Sequence, residues 1–144
     1  MTIEDKELLL IDLSARLAYG VVCVGITYEL DDDGERYIPF KVKDILTEIH
    51  NYKLETASVR LGLISSCKLE TVKPYLRSMS SMTEEEKNDY LNTFKKSIIG
   101  TDEEDGRVWT VDSIEWLNAH HFDYRGLIER GLAIVVNENN NPYK

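Results

Sequence analysis

Two adjacent histidines are the residues most suggestive of catalytic or metal-binding chemistry. His120 and His121 precede Asp123 in the segment HHFDYR. Neighbouring residues on a helix point about 100° apart, so adjacent histidines need further metal ligands from elsewhere. The third histidine is His50, and no HExxH or HxH spacing occurs. We therefore expect a helix end at which a histidine meets the terminal carbonyls and Asp123 caps the next segment.

A second candidate site lies in KPYLRSMSS, directly before a helix start at Thr83. The segment combines cationic, aromatic and hydroxyl side chains, and a helix N-terminus adds unpaired N–H groups and a positive dipole. These features predict a pocket for a phosphate or a nucleotide. The predicted ligand-binding residues are Lys73, Tyr75, Arg77, Ser80, Ser81, His121, Tyr124 and Arg125.

The same segment also has a purely structural interpretation. Glu84, Glu85 and Glu86 compete for the positive field of the helix start, so Arg77 can form an ion pair with one of them. Pro74 and Tyr75 would then hold the two halves of the chain together, and the serines would be turn residues. The sequence leaves both interpretations open.

Length and charge narrow the classes of protein to which the chain can belong. With 144 residues, 42% of them hydrophobic, we expect one domain spanning residues 1–144. A net charge of -9 and a pI near 4.8 argue against direct nucleic-acid binding, which requires clustered lysines and arginines. Acidic runs at residues 31–35, 84–86 and 102–105 indicate solvated turns and a helix start, or alternatively a surface that imitates DNA.

The cysteines and the N-terminus indicate an intracellular protein. Cys23 and Cys67 lack CxxC spacing and a histidine placed to complete a zinc site, so we expect both in the core. The N-terminal residues carry acid where a secretory signal carries Lys or Arg, and no apolar run has transmembrane length. No nucleophile motif or glycine-rich phosphate loop occurs. We expect a cytoplasmic protein without membrane contact, metal or cofactor.

The first half of the chain has one helical pattern followed by strand patterns. Residues 3–17 place apolar side chains at helical spacing, which predicts a helix with Thr2 as its cap. β-branched residues dominate residues 21–30, which predicts a strand. DDDGE predicts a turn into a returning strand at residues 36–42, where Pro39 marks an edge or an interruption.

The next stretch determines the predicted fold class. Residues 43–58 fit either a short amphipathic helix or a strand, and we favour the strand. ASVRLGLISS alternates Val59, Leu61 and Leu63 with polar or small residues, which predicts one strand, and residues 69–76 continue as a short strand or turn. We therefore predict an α+β protein with an N-terminal helix, a small antiparallel sheet or SH3-like barrel, and C-terminal helices packed on it.

The second half is mainly helical in pattern. A capping box at Thr83 and Glu86 predicts a helix from about Glu84 to Ser97, ended by Gly100. The predicted buried face of this helix consists of Tyr90, Leu91, Phe94 and Ile98. GTDEEDG predicts a loop and RVWTV a short strand. Asp112 or Ser113 is the predicted cap of a helix in SIEWLNAH.

The C-terminal residues predict one more helix, a strand and a tail. Asp123 would cap a brief helix carrying Leu127 and Ile128, with Gly131 as its terminator before the apolar strand LAIVV. The tail NENNNPYK has little to bury, so we expect it to be disordered or loosely held. The expected lobes are a β-rich part at residues 1–77 and a helical part at residues 78–137, followed by the tail at residues 138–144.

Three segments spaced along the chain, LLLIDLSARLAYGV, KPYLRSMSSMTEEEK and WLNAHHFDYRGLIERGLA, carry a resemblance. Together they resemble an uncharacterised family of small proteins that is abundant in gut Bacteroidales bacteria and in their phages and mobile elements. Family members usually have proline where this chain has Ala18 and Ser78, and residues 25–72 are individual to this chain. The resemblance implies a bacterial cytoplasm and a phage-encoded protein that acts by binding, either to a host protein or to a signalling molecule.

Three functional hypotheses follow. The leading one is a non-catalytic binding protein that sequesters a small anionic, nucleotide-like host signal or binds a host protein, of the anti-defence or host-takeover type. The second is an acidic DNA mimic that inhibits a host nucleic-acid-binding protein, and the third is an enzyme that uses His120, His121 and Asp123. A homo-oligomer is also possible, because strand edges and the apolar LAIVV offer ways to pair.

Overall fold

The computed structural model describes residues 1–50, 53–94, 100–102 and 107–144 of the chain. Its α-helices and strands form the predicted α+β arrangement. The helices are α1 (Ile3–Arg16), α2 (Glu84–Thr93) and α3 (Val111–Ala119). The strands are β1 (Val22–Leu30), β2 (Tyr37–Ile49), β3 (Ser58–Leu61), β4 (Ser65–Lys68), β5 (Lys73–Leu76), β6 (Gly100–Asp102), β7 (Arg107–Trp109) and β8 (Ile134–Val135). Over the described ranges, no helix has the length and apolar character needed to cross a membrane.

Helix α1 begins at the predicted cap and ends close to a glycine. The Thr2 hydroxyl accepts a hydrogen bond from Asp5 N, and the Asp5 carboxylate accepts one from Thr2 N. Leu9 and Leu13 on its apolar stripe are completely buried. Gly20, at a φ of 68°, ends the short 3-10 turn after the helix in a left-handed conformation that favours glycine.

Strands β1 to β5 and β8 form one sheet with the order β4-β3-β2-β1-β5-β8. Its pairs are antiparallel except for β5 and β8, which run parallel. Strand β2 has two partners: its first part pairs with β1, and its last part, from Leu46, pairs with β3, with a register shift between Leu46 and Glu48. The strand that we favoured for the stretch from residue 43 is therefore confirmed as far as Ile49.

The sheet is strongly curled, so that β4 lies over β1. A Cβ atom added to Gly25 would lie 2.9 Å from Cys67 Sγ, which is closer than real Cβ contacts come. Cys23 and Cys67 are both buried, as predicted, and burial raises the pKa of both thiols. The described strands form an open sheet, because β4 and β8 at its two ends do not pair with each other. Of the two expected architectures, the small sheet is the one observed.

The stretch ASVRLGLISS forms two strands, and our prediction of one strand was wrong. Strand β3 ends at Leu61, and Gly62, at a φ of 66°, begins the turn into β4. Leu63, which belongs to the predicted alternation with Val59 and Leu61, is 91% exposed. The alternation of apolar residues runs on through the turn, so periodicity alone could not locate the reversal of the chain.

Helix α2 starts as predicted but ends earlier. Thr83 and Glu86 form the expected capping box, and the helix ends at Thr93 instead of near Ser97. Leu91, which we placed on the buried face, is 60% exposed. Tyr90 and Phe94 of the predicted face are half-buried, and no residue of α2 is completely buried.

Several predictions for the following residues also change. Ser97 and Ile98 lie outside the described residues, as do the last four residues (103–106) of the expected GTDEEDG loop. Gly100–Asp102, in the first part of that loop, is strand β6, paired with β7. Helix α3 is capped by Thr110, whose Oγ1 accepts a hydrogen bond from Ser113 N at 2.9 Å, so neither Asp112 nor Ser113 is the cap. Ser113 completes the capping box in the place usually taken by Glu or Gln, which made the box hard to recognise.

The brief helix predicted after Asp123 is a series of turns. The Asp123 carboxylate does act as a cap, accepting hydrogen bonds from Leu127 N and Ile128 N, both at 2.9 Å. Gly126 and Gly131 have φ values of 80° and 74°. These left-handed positions leave only a few residues between them, too few for a stable helix.

The C-terminal tail is bound to the sheet, so the expected disorder was wrong. The Tyr143 hydroxyl donates a hydrogen bond to Tyr75 O at 2.7 Å and accepts one from Val22 N at 3.1 Å. The Tyr143 ring stacks on His121 with 3.7 Å between ring centroids. One tyrosine thus supplies both apolar burial and polar contacts, which composition alone did not reveal.

Among the described residues, buried apolar side chains form two clusters. The first lies between α1 and the sheet and includes Leu9, Leu13 and Leu76. The second, around Leu117 and Phe122, joins α2 and α3. The two meet where β5 ends, because Arg77 N donates to His121 O and Asp123 N donates to Arg77 O. The end of β5 therefore links the sheet to the C-terminal helices.

Candidate functional site

The predicted pocket around KPYLRSMSS is divided by the way in which β5 is built. Pro74, Tyr75 and Leu76 are buried, whereas Lys73 at the start of the strand is exposed. Strand β5 lies between β1 and β8, so its side chains are sorted onto the two faces of the sheet. The cationic residues of the prediction consequently face different surroundings.

Arg77 is fully engaged by a carboxylate. Its Nη1 and Nη2 atoms donate to the two Glu86 carboxylate oxygens, both at 2.7 Å, and its guanidinium lies 4.2 Å from the centre of the Phe122 ring. The hydrogen bonds from Arg77 lower the pKa of Glu86 to about 2. The ion-pair interpretation of Arg77 is therefore confirmed.

The serines after β5 bond within their own turn. The Ser78 hydroxyl accepts a hydrogen bond from Ser80 N, and the Ser81 hydroxyl donates to Ser78 O at 2.6 Å. These contacts stabilise a short 3-10 turn at Met79–Ser81. Ser80 and Ser81 thus have structural partners, in agreement with the alternative interpretation.

Arg125 belongs to a buried cluster of charges that we did not predict. Its Nη1 donates to Asp12 Oδ1 at 3.0 Å, and Arg16 Nε donates to Asp12 Oδ2 at 2.9 Å. Asp12 and Arg16 are both completely buried. Arg16 Nη2 also donates to the Phe122 carbonyl at 2.6 Å, and the Tyr124 hydroxyl donates to Asn118 Oδ1.

This cluster ties α1 to the chain after α3, across more than a hundred residues. A buried ion pair requires close geometry to offset desolvation, so the cluster fixes the position of the helix. The signal was present in the sequence, because Asp12 and Arg16 are four residues apart and share a face with Leu9 and Leu13.

The two histidines have structural partners. His120 Nδ1 lies 2.8 Å from Trp116 O, and the His120 ring stacks on Trp116. This is the contact with helix-end carbonyls that we expected. His121, at a φ of 63°, is stacked on Tyr143, and burial lowers its pKa to about 4, so its imidazole is neutral at neutral pH.

The surroundings of the histidines favour structure over catalysis. The Asp123 carboxylate is occupied by two backbone N–H groups, and burial raises the pKa of Tyr143. Among the described residues, no group of three or more His, Cys, Asp or Glu side chains is placed to hold a metal ion. An open cavity of about 400 Å³ does bring His121 and Arg77 together. The cation in this cavity is Arg77, which is already paired with Glu86.

Lys73 contributes to a different surface, on the outer face of the sheet. Its register partner on β1 is Val24, which also pairs with Lys43 of β2. Lys41 lies two residues before Lys43 and pairs with Ile26. Partners across a strand pair, and residues two apart on a strand, share one face. We call Lys41, Lys43 and Lys73 the lysine face.

The lysine face borders a groove of about 520 Å³. The groove lies along β1 and the start of β5, and its lining includes Ile26, Pro39, Phe40, Lys41, Thr71 and Lys73. Tyr75, under the lysine face, is almost completely buried, and Lys43 Nζ lies 4.7 Å from the centre of its ring. The groove thus combines an apolar wall with two lysines.

The three lysines lack acidic partners among the described residues. Described arginines such as Arg16, Arg77 and Arg125 form ion pairs, but no described carboxylate lies within 4.0 Å of Lys41, Lys43 or Lys73. Their alternation as Lys-Val-Lys on a strand is visible in the sequence. Their meeting with Lys73 depends on the β1 and β5 register, which the sequence did not provide.

No family model matches the chain, and neither the curated proteins nor the solved structures include one that matches it.

Proposed function

We propose that this chain is a non-catalytic binding protein that captures a small anionic, nucleotide-like ligand on the lysine face. The observation that carries the proposal is the convergence of Lys41, Lys43 and Lys73 without carboxylate partners among the described residues. A chain with a net charge of -9 offers its basic groups many acids with which to pair. Unpaired lysines gathered beside a groove favour a ligand that supplies the missing anion.

The groove also fits the flat, uncharged part of such a ligand. Its volume of about 520 Å³ lies within the range usual for small-molecule sites. Pro39 and Phe40 provide apolar surface against which a base or another flat group can pack. Lysine ammonium groups on flexible stems can follow a phosphate without a fixed bidentate geometry.

The proposal changes which residues carry the function. Lys73 remains, and Lys41 and Lys43 replace the arginines of the predicted set, since Arg77 and Arg125 already bind carboxylates. Tyr75 lies beneath Lys43 and supports it. With the Bacteroidales and phage resemblance, we propose a bacterial cytoplasm as the setting and a host nucleotide signal as the ligand.

Calorimetry against a panel of cyclic and linear nucleotides tests this function. We expect at least one to release or absorb heat on binding, and the double variant Lys41→Gln/Lys73→Gln to bind it about a hundredfold more weakly, because each lost charged contact costs about tenfold or more. Uniformly absent heat across the panel would contradict the proposal.

A matched control distinguishes the contribution of the lysine face to binding from the effect of net charge alone. Lys68 and Lys144 are exposed and also lack an acidic partner among the described side chains, so Lys68→Gln/Lys144→Gln removes the same charge from other places. We expect this variant to bind as the unchanged chain does. Equal loss in both double variants would show that only net charge matters.

A further inference from the structure

The hairpin made by β1 and β2 extends beyond the sheet as a two-stranded arm. Strand β1 pairs with β5 only at Cys23 and Val24, and β2 pairs with β3 only from Leu46 onward. We call residues 26–41 the arm. Within the described residues its two strands pair along this length only with each other, so its edges carry no further strand, and most of its residues are exposed.

The outer face of the arm is apolar in the middle. Register pairs place β1 residues beside β2 residues on this face, and large apolar side chains fill most positions. Tyr28 and Tyr37 are 55% and 70% exposed. The apolar set consists of Ile26, Tyr28, Leu30, Tyr37 and Pro39. Exposed apolar side chains gathered in one patch are typical of an interaction surface.

The two ends of this face carry opposite charges. At the tip, the Asp31 carboxylate accepts a hydrogen bond from Glu35 N and so shapes the turn, while Asp32 and Asp33 are exposed. At the base lie the lysines of the lysine face. Along its length, the face therefore runs from acid through an apolar middle to base.

A face that runs from acidic through apolar to basic is complementary to a second copy of the same face running in the opposite direction. About seven residues separate Gly34 at the tip from Lys41, which is about 23 Å of strand. A second arm laid antiparallel, with its centre near the pair Tyr28 and Pro39, brings each tip to the lysines of the other arm. A two-fold interface uses one patch twice, which this arrangement satisfies.

Proline favours packing between faces over pairing between edges. Pro39 lies in the middle of the arm on β2 and has no N–H group to donate to an added strand. Natural sheets use proline at edges to discourage edge pairing. The face of the arm is therefore a better surface for contact with a partner than its β2 edge.

We propose that the arm is a homodimer interface, in which two copies pack face to face and antiparallel, with the acidic tip of each on the lysine face of the other. This pairing requires no ligand and stands independently of the proposed function. Where both hold, an anionic ligand competes with Asp32 and Asp33 of the second copy for the same lysines, so ligand binding and pairing exclude each other.

Charge reversal tests the pairing directly. The tip variant Asp32→Lys/Asp33→Lys and the base variant Lys41→Glu/Lys73→Glu each place like charges together in a homodimer. In sedimentation without ligand, we expect the unchanged chain to associate between about 1 and about 100 μM, and each variant alone to remain monomeric. Mixed in equal amounts, the two variants should associate at least about tenfold more tightly than either alone, because both contacts of the mixed dimer are then attractive.

A control of equal net charge removes a simpler explanation. Glu129 and Glu138 are exposed and lie outside the arm, so Glu129→Lys/Glu138→Lys carries the same net charge as the tip variant. This control keeps the unchanged arm, so it should associate with itself as the unchanged chain does, whereas a labelled base variant mixed with it should remain monomeric. All substituted side chains are exposed, and circular dichroism of each variant checks that it is folded.

The outcomes distinguish the pairing from the ligand site. An unchanged chain that stays monomeric at about 100 μM and low salt overturns the dimer, as does a mixture of the two variants that remains monomeric. The tip variant keeps all three lysines, so its nucleotide binding in the calorimeter reports on the proposed function alone. Loss of pairing with retained binding thus separates the two proposals.

Discussion

Two groups of positive charge in this chain have opposite surroundings. Arg16, Arg77 and Arg125, near the junction of α1, β5 and the C-terminal residues, each bind a carboxylate at 3.0 Å or less. Lys41 and Lys73, on the outer face of the sheet, lack such a partner among the described residues. A cation with a buried or half-buried partner stabilises the fold, whereas an unpaired exposed cation contributes little to it and is free for a ligand or a second copy.

The largest effect should come from breaking the most deeply buried pair. Asp12→Ala leaves Arg16, which is 0% exposed, without its carboxylate, and deprives Arg125 of its partner as well. We expect the free energy of unfolding to fall by about 3–5 kcal/mol, because an uncompensated charge remains in the interior. Urea unfolding followed by circular dichroism measures this change.

Two control variants locate the cause. Asp33→Ala removes an exposed carboxylate and should change stability by less than about 0.5 kcal/mol. Asp12→Ala/Arg16→Met also removes the stranded charge and should recover part of the loss, since an apolar side chain tolerates burial. If the free energy of unfolding of Asp12→Ala lies within about 1 kcal/mol of that of the unchanged chain, the buried cluster does not hold α1 in place.

A middle-sized effect is expected at the half-buried pair of Arg77 and Glu86. Arg77 lowers the pKa of Glu86 from 4.5 to about 2, so the carboxylate stabilises the folded chain above about pH 4.5. This contribution declines as the pH falls from about 4.5 to about 2. Glu86→Gln should reduce stability by about 1–2 kcal/mol at neutral pH, after allowance for solvent screening.

The pH dependence identifies the pair. Unfolding of Glu86→Gln and of the unchanged chain, compared at a series of pH values, should differ most near neutrality and agree near pH 2. Glutamine can still accept the hydrogen bond from Thr83 N, so the helix cap is retained. A difference that does not change with pH would mean that the glutamate acts through packing and not through its charge.

The comparison also explains what the sequence could and could not reveal. Local signals were reliable: Thr2 and Thr83 form the expected caps, and Arg77 pairs with a glutamate of the next helix. These contacts join residues that are close in sequence, so spacing alone determines them. The α+β class likewise followed from periodicity, which is a local property.

Contacts between distant residues were not accessible in this way. Asp12 and Arg125 are 113 positions apart, and Lys73 joins Lys41 and Lys43 only through the register of β1 with two neighbours. The tail was misjudged for the same reason, since Tyr143 bonds to Tyr75 and Val22 across the whole chain. Register and docking depend on the complete fold, which a pattern in one segment does not contain.

The smallest effect on stability is expected on the lysine face. Lys73 is exposed and has no acidic partner among the described residues, so Lys73→Gln removes no contact that holds the chain folded. We expect its free energy of unfolding to stay within about 0.5 kcal/mol of the unchanged chain at about 150 mM salt, where repulsion within an acidic chain is largely screened. Urea unfolding of this variant beside Glu86→Gln compares the two classes of charge directly. A loss above about 1 kcal/mol would give Lys73 a structural role like that of Arg77 and withdraw it from the ligand site. If Lys73→Gln is as stable as the unchanged chain while Lys41→Gln/Lys73→Gln binds nucleotide more weakly, the lysine face serves function. Contact with an external anion would then be the property that the lysines provide.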